Sequence, residues 1–80
     1  MSMQSKYEEQ YKEIGLNIAY YRKFRGYTQI EFAEKIDVSR THLSNIEAPK
    51  MKTSLSLDLL FKIADALDVD IKEFFDFHSK

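Results

Sequence analysis

The chain has 80 residues, one proline, two glycines and no cysteine, which leaves room for about one small domain and excludes disulfide staples and thiolate metal sites. Its formal charge is −1. It contains neither a run of roughly 18 apolar residues nor an apolar leader, so the expectation is a soluble, intracellular protein with no membrane partner.

The charge is unevenly spread. Residues 22–52 hold seven basic and four acidic side chains, net +3, whereas residues 53–80 are net −3. Fields follow local charge within about 8–10 Å, so the basic middle outweighs the global sum. The apolar spacing is helical throughout, with no strand-length alternation and no internal repeat. Tyr7 to about Phe24 reads as a first helix, with Ile14, Ile18, Tyr21 and Arg25 on one face. Gly15 inside it costs about 1 kcal/mol against Ala, which predicts a close helix contact there. Gly26 supplies the stop. Thr28 caps a second helix and Glu31, three residues on, completes a capping box. Phe32, Ala33 and Ile36 form that helix's apolar face, which ends near Asp37. Ser39 caps a third helix from about Arg40 to Glu47. Pro49 ends it by keeping Ala48 out of the α region. After a loop through Lys50 and Lys52, Ser56 caps a fourth helix lined by Leu60, Ile63, Ala64 and Leu67. Asp70, with Glu73 three residues on, predicts a second capping box and a short fifth helix. The expected fold is all-α, a compact five-helix bundle. Residues 1–6 are read as a flexible N-terminus, 7–77 as a single domain and 78–80 as a tail.

The second and third helices are short and separated by about three residues, so they cross steeply as a helix-turn-helix unit. Ala33 is the small residue their crossing needs, and Asp37 the residue that tolerates left-handed φ at the turn. On a wheel of roughly 100° per residue, Leu43 and Ile46 fall on one side of the third helix and Arg40, Thr41, Ser44 and Asn45 on the other. Arg suits guanine, Asn suits adenine, and the Thr methyl suits the thymine methyl. On an isolated helix this face is ordinary solvated surface; the two-helix unit and the basic middle favour base edges.

Ile14-Gly15, Ile18, Arg22, Gly26-Tyr27-Thr28-Gln29, Phe32-Ala33, Ser39, Leu43-Ser44, Ile46-Glu47 and Leu60 to Val69 together resemble the Cro/C1-type helix-turn-helix family, the phage-repressor-like regulators also called the xenobiotic-response-element family. The resemblance covers about residues 14–75. It implies a lambda-repressor-like fold and a dimeric, sequence-specific regulator of transcription on operator DNA. It also implies that Gln29 hydrogen-bonds a phosphate and braces the recognition helix, and that Arg40, Thr41, Ser44 and Asn45 read bases. Arg22 and Glu47 match a family pair that forms a buried salt bridge. Two departures stand out: Asp37 occupies a place where the family usually has Gly, and near Pro49, where the family also usually has Gly, the loop after the third helix is about two residues longer.

The full set expected at DNA is Gln29, Ser39, Arg40, Thr41, His42, Ser44, Asn45 and Lys50. His42 flanks the apolar side, where it either reaches a phosphate or covers the core edge. No His pair has metal spacing, no Gly-rich phosphate loop exists, and no Ser–His–acid set is readable, so neither a metal, a cofactor nor catalysis is expected. Leu59, Phe61, Ile71, Phe74, Phe75 and Phe77 exceed what one small core needs. Phe74 is the expected core member, and Phe75 and Phe77 the expected dimer surface. The expectation is a homodimeric DNA-binding regulator on a palindromic operator, cytoplasmic in a prokaryote or phage, without an effector domain and open to a regulatory protein partner. The rival reading keeps the fold as a protein-interaction module, antitoxin- or anti-repressor-like.

Overall fold

The structure, a computed structural model, describes residues 7–49 and 55–77. It contains α1 (Glu8–Phe24), α2 (Gln29–Ile36), α3 (Arg40–Glu47), α4 (Leu57–Leu67) and a 3₁₀ helix, Ile71–Phe75. No strand occurs among the described residues.

The expected fifth α-helix is therefore corrected to a five-residue 3₁₀ helix. Side chains explain why it stays short. Asp70 Oδ1 accepts from the Lys72 N–H at 3.1 Å. The buried Asn17 Nδ2 donates to the Phe74 carbonyl at 3.0 Å and to the Asp76 carbonyl at 3.1 Å. These contacts anchor the element's end to α1 rather than letting it propagate. Glu73 does not serve as the partner of Asp70 in a capping box. Its carboxylate accepts from the Tyr21 hydroxyl at 3.3 Å.

Three of the four α-helices end in one pattern. Gly26, Asp37 and Asp68 all have left-handed φ, at 87°, 62° and 57°. In each case the N–H of the following residue reaches back to the last turn: Tyr27 to the Arg22 carbonyl, Val38 to Ala33 and Val69 to Ala64. This is the 6→1 bond of a Schellman cap, which satisfies otherwise orphaned carbonyls. The starts of α2, α3 and α4 are equally well set, whereas Tyr7 gives α1 no side-chain cap. Thr28 and Glu31 form both bonds of the capping box, at 3.0 and 2.9 Å. Ser39 accepts from His42 N–H, and Ser56 from Leu59 N–H, each at 3.0 Å.

The core gathers Ile14 and Ile18 of α1, Phe32 and Ile36 of α2, Leu43 and Ile46 of α3, the inner face of α4, and Phe74. Phe74 is fully buried, while Phe61, Phe75 and Phe77 are exposed. Each large side chain buried in this way contributes about 1.5–3 kcal/mol. Gly15 sets the seam between α1 and α3. A Cβ placed there would run into the Ile46 carbonyl and lie 2.7 Å from the Glu47 carbonyl oxygen. The two backbones thus touch, which offsets glycine's cost within a helix.

Candidate nucleic-acid interface

The two short helices α2 and α3 are joined by Asp37, Val38 and Ser39. Asp37 adopts φ 62° and ψ 47°, turning the chain sharply enough for α3 to cross α2. Val38 packs against the core. Leu43 and Ile46 anchor the inner side of α3, so its orientation follows from burial.

Its outer side carries Arg40, Thr41 and Asn45, all exposed, and Ser44, half-buried. Ser39 is exposed, with its hydroxyl committed to the cap. His42 is half-buried at the border between the polar and apolar sides. The structure therefore brings Ser39, Arg40, Thr41, Ser44 and Asn45 together on one short, projecting surface. Lys50 lies outside the described residues.

Behind this surface sits a buried charged hub. Glu47, at the last position of α3, accepts from Arg22 Nε at 2.6 Å and from Arg22 Nη2 at 3.0 Å. Its Oε1 also accepts from Gln29 Nε2 at 2.9 Å. Arg22 Nη1 donates to the Tyr27 carbonyl at 2.7 Å. Arg22 and Glu47 are each only 6% exposed. Desolvating two charges is costly unless the geometry is bidentate and the remaining valences are filled. Both conditions are met here. One carboxylate thus ties α1, the start of α2 and the end of α3 together. Gln29 stands half-buried at the first position of α2, where backbone N–H groups point outward.

Phe75 and Phe77 are exposed. Phe75 lines an apolar cleft with Tyr7, Tyr11, Ile14, Leu57 and Leu60. Sequence reasoning missed Asn17 and the Tyr21–Glu73 bond. The available signal was a polar residue inside the buried face of α1, between Ile14 and Ile18. Among the described residues, no group of three or more His, Cys, Asp or Glu could hold a metal ion.

The sequence matches the family described as helix-turn-helix over residues 18–74. It is 40% identical over 63 residues to the HTH-type transcriptional regulator SinR of Bacillus subtilis, covering 79% of this chain and 56% of that protein. It is 38% identical over 63 residues to SlrR of the same organism, covering 79% of this chain and 41% of that one. The chain thus spans about half the length of the curated relatives it matches. A crystal structure of SinR in complex with DNA superposes with a TM-score of 0.69 at 40% identity, covering 79% of this chain and 98% of that one. SinR in its complex with SinI gives the same TM-score and identity, covering 79% of this chain and 60% of that one. A Neisseria protein, NHTF, shares the fold at a TM-score of 0.74 with 21% identity, covering 94% of this chain and 84% of that one.

Proposed function

This chain belongs to the Cro/C1-type helix-turn-helix family of transcriptional regulators, a family of non-enzymes, and from that premise we propose that it is a sequence-specific DNA-binding regulator acting as a homodimer on a palindromic operator in the cytoplasm. The observation that carries this reading is the outward polar face of α3 held rigid from behind by the Arg22–Glu47–Gln29 hub. A surface fixed before binding loses little freedom on docking into a major groove.

Arg40 takes guanine, Asn45 takes adenine, and Thr41 and Ser44 complete the base contacts. Ser39, His42, Lys50 and the second amide hydrogen of Gln29 contact phosphates, which position the protein without specifying sequence. Two copies related by a two-fold axis through Phe75 and Phe77 place their α3 helices about 34 Å apart along one face of the duplex.

The test is a titration of labelled DNA from an oligonucleotide selection. Affinity is expected to fall steeply with salt, because phosphate contacts release counterions. Arg40→Ala is expected to cost about 1–3 kcal/mol on the preferred site and to relax preference at one base pair. A variant that selects the same sequence with undiminished strength would remove Arg40 from the readout.

A second reading, a protein-interaction module, is favoured by the apolar cleft around Phe75. The complex of its relative SinR with SinI supports a regulatory protein partner for this chain as well. Binding that ignores salt and persists when Arg40 is removed would select this reading.

A further inference from the structure

The chain builds one connector at two places. Ala33 to Ser39 and Ala64 to Asp70 each pass through an Asp in left-handed conformation, at φ 62° and 57°. A Val follows, whose N–H bonds back to the Ala carbonyl at 3.0 and 3.1 Å. Each stretch then ends on an N-cap, Ser39 or Asp70. Counted from the Asp, Leu43 of α3 corresponds to Phe74 of the 3₁₀ helix, and both are fully buried. Ser44 then corresponds to Phe75, and Asn45 to Asp76. Where the first unit turns a polar surface outward, the second turns out an aromatic ring that is 46% exposed. α1 packs on both α3 and the 3₁₀ helix.

Each unit is held from α1 by a buried polar side chain. Arg22 holds α3 through Glu47. Asn17, 2% exposed, holds the second unit through its Nδ2, which donates to the Phe74 and Asp76 carbonyls. Those two carbonyls bracket Phe75, so the backbone is fixed on both sides of that ring. A five-residue 3₁₀ helix holds itself poorly, and Tyr21 adds a bond to the Glu73 carboxylate at 3.3 Å. Among side chains of this length, Asn alone offers two hydrogens on one nitrogen; Asp, Ser and Leu cannot form this clasp.

We propose that Asn17 is the positioning residue of the two-fold contact between copies. Being buried, it touches neither DNA nor the second copy. By clasping the chain on either side of Phe75, it sets the direction in which Phe75 and, two residues on, Phe77 leave the domain. That direction decides where the axis between two copies falls. The inference rests on the homodimer reading above and adds to it the residue that fixes its geometry. A fixed axis fixes the separation of the two α3 helices, which must match successive major grooves about 34 Å apart. A loosened clasp leaves each α3 intact and spoils their joint fit. Order at Phe75 before pairing also removes a cost that association would otherwise carry.

Asn17→Leu keeps the branched shape and removes both bonds. Asn17→Ser is milder, since a hydroxyl donates once and reaches less far. Sedimentation velocity of the full chain across a concentration series tests the role, run below each variant's unfolding midpoint and beside circular dichroism. Asn17→Leu should dimerise about tenfold more weakly than the wild type, with Asn17→Ser between them. Affinity for a palindromic duplex selected by the wild type should fall by a similar factor. Affinity for a duplex carrying one half-site should stay the same, whereas a general loss of structure would lower both alike. Phe77→Glu in the same series tests the reading beneath. A Phe77→Glu protein that fails to pair, beside an Asn17→Leu protein that pairs like the wild type, overturns the positioning role and leaves the homodimer standing. A wild type that stays monomeric throughout, or a Phe77→Glu protein that pairs like it, removes the two-fold reading and the role of Asn17 with it. Equal losses on half-site and palindrome, or loss of fold in both Asn17 variants, make Asn17 a core residue alone and overturn the role.

Discussion

At the scale of single residues, the Arg22–Glu47 pair illustrates how little of a buried charge's value lies in the pair itself. Arg22→Met leaves a carboxylate that is 6% exposed without its guanidinium. It should cost roughly 3–5 kcal/mol in urea unfolding, and adding Glu47→Leu should recover much of that. Wild-type stability in Arg22→Met would contradict the burial. Gly15→Ala drives a methyl against the Ile46 and Glu47 carbonyls, and backbone cannot yield as a side-chain tip can. A loss of about 1–3 kcal/mol is expected from the overpacking. Tyr21 gives an alkaline signature. Burial, and then the neighbouring Glu73 carboxylate, push its phenol above the ordinary value of 10.0. The folded state therefore holds this proton more tightly than the unfolded chain. Its contribution is complete below about pH 10 and is lost as pH rises beyond it. Tyr21→Phe should flatten that decline in a pH series of unfolding midpoints. Gly15 was legible because a glycine inside a helix drew attention to itself, and Arg22 and Glu47 because they match a pair in the family that the sequence resembles. Asn17 was not, because its value comes from two carbonyls 57 and 59 residues away.

At the scale of elements, the stops carry as much information as the helices. Ala33 to Ser39 and Ala64 to Asp70 run through the same sequence of events: an apolar helix end, an Asp in left-handed conformation, a Val bonded back to Ala, and an N-cap. Read as text, the chain showed no internal repeat. Read as backbone, it uses one connector twice. Asp37→Gly and Asp68→Gly relieve a side chain from φ 62° and 57°. Each should raise stability by up to about 1 kcal/mol in thermal unfolding, since only glycine adopts that region without cost. A drop in midpoint for both would show that the Asp side chains contribute something the backbone angles do not reveal. Helix starts were legible because Thr28, Ser39 and Ser56 act through bonds three residues long. The nature of the last element was not, since a 3₁₀ and an α turn share the same cap residues and diverge only through the tertiary hold of Asn17.

At the scale of the whole molecule, an overall charge of −1 conceals a basic middle and an acidic end. α3 packs on α1 and α2, and the 3₁₀ helix on α1 and α4, so a partner at the Phe-rich end need not compete with a duplex at α3. Phe77→Glu should shift sedimentation toward monomer and weaken binding to a palindromic operator without altering α3. Unchanged mass together with unchanged operator affinity would move the two-fold contact elsewhere. Phe75→Glu must be read beside circular dichroism, because Phe75 also lines the cleft against α1 and α4.

The doubled connector also orders events in time. α2 with α3, and α4 with the 3₁₀ helix, each close over a few residues, whereas α1 is tied to them through pairs 25 to 59 residues apart. Short-range contacts form before long loops close. The two connector pairs should therefore be structured in the transition state, with α1 docking late. Substitutions at Asp37 and Asp68 should then act mainly on the refolding rate. Those at Gly15, Asn17 and Arg22 should act mainly on the unfolding rate. The helix that opens the chain would be the last to settle, and its seam with α3 would govern how long the native state survives once formed.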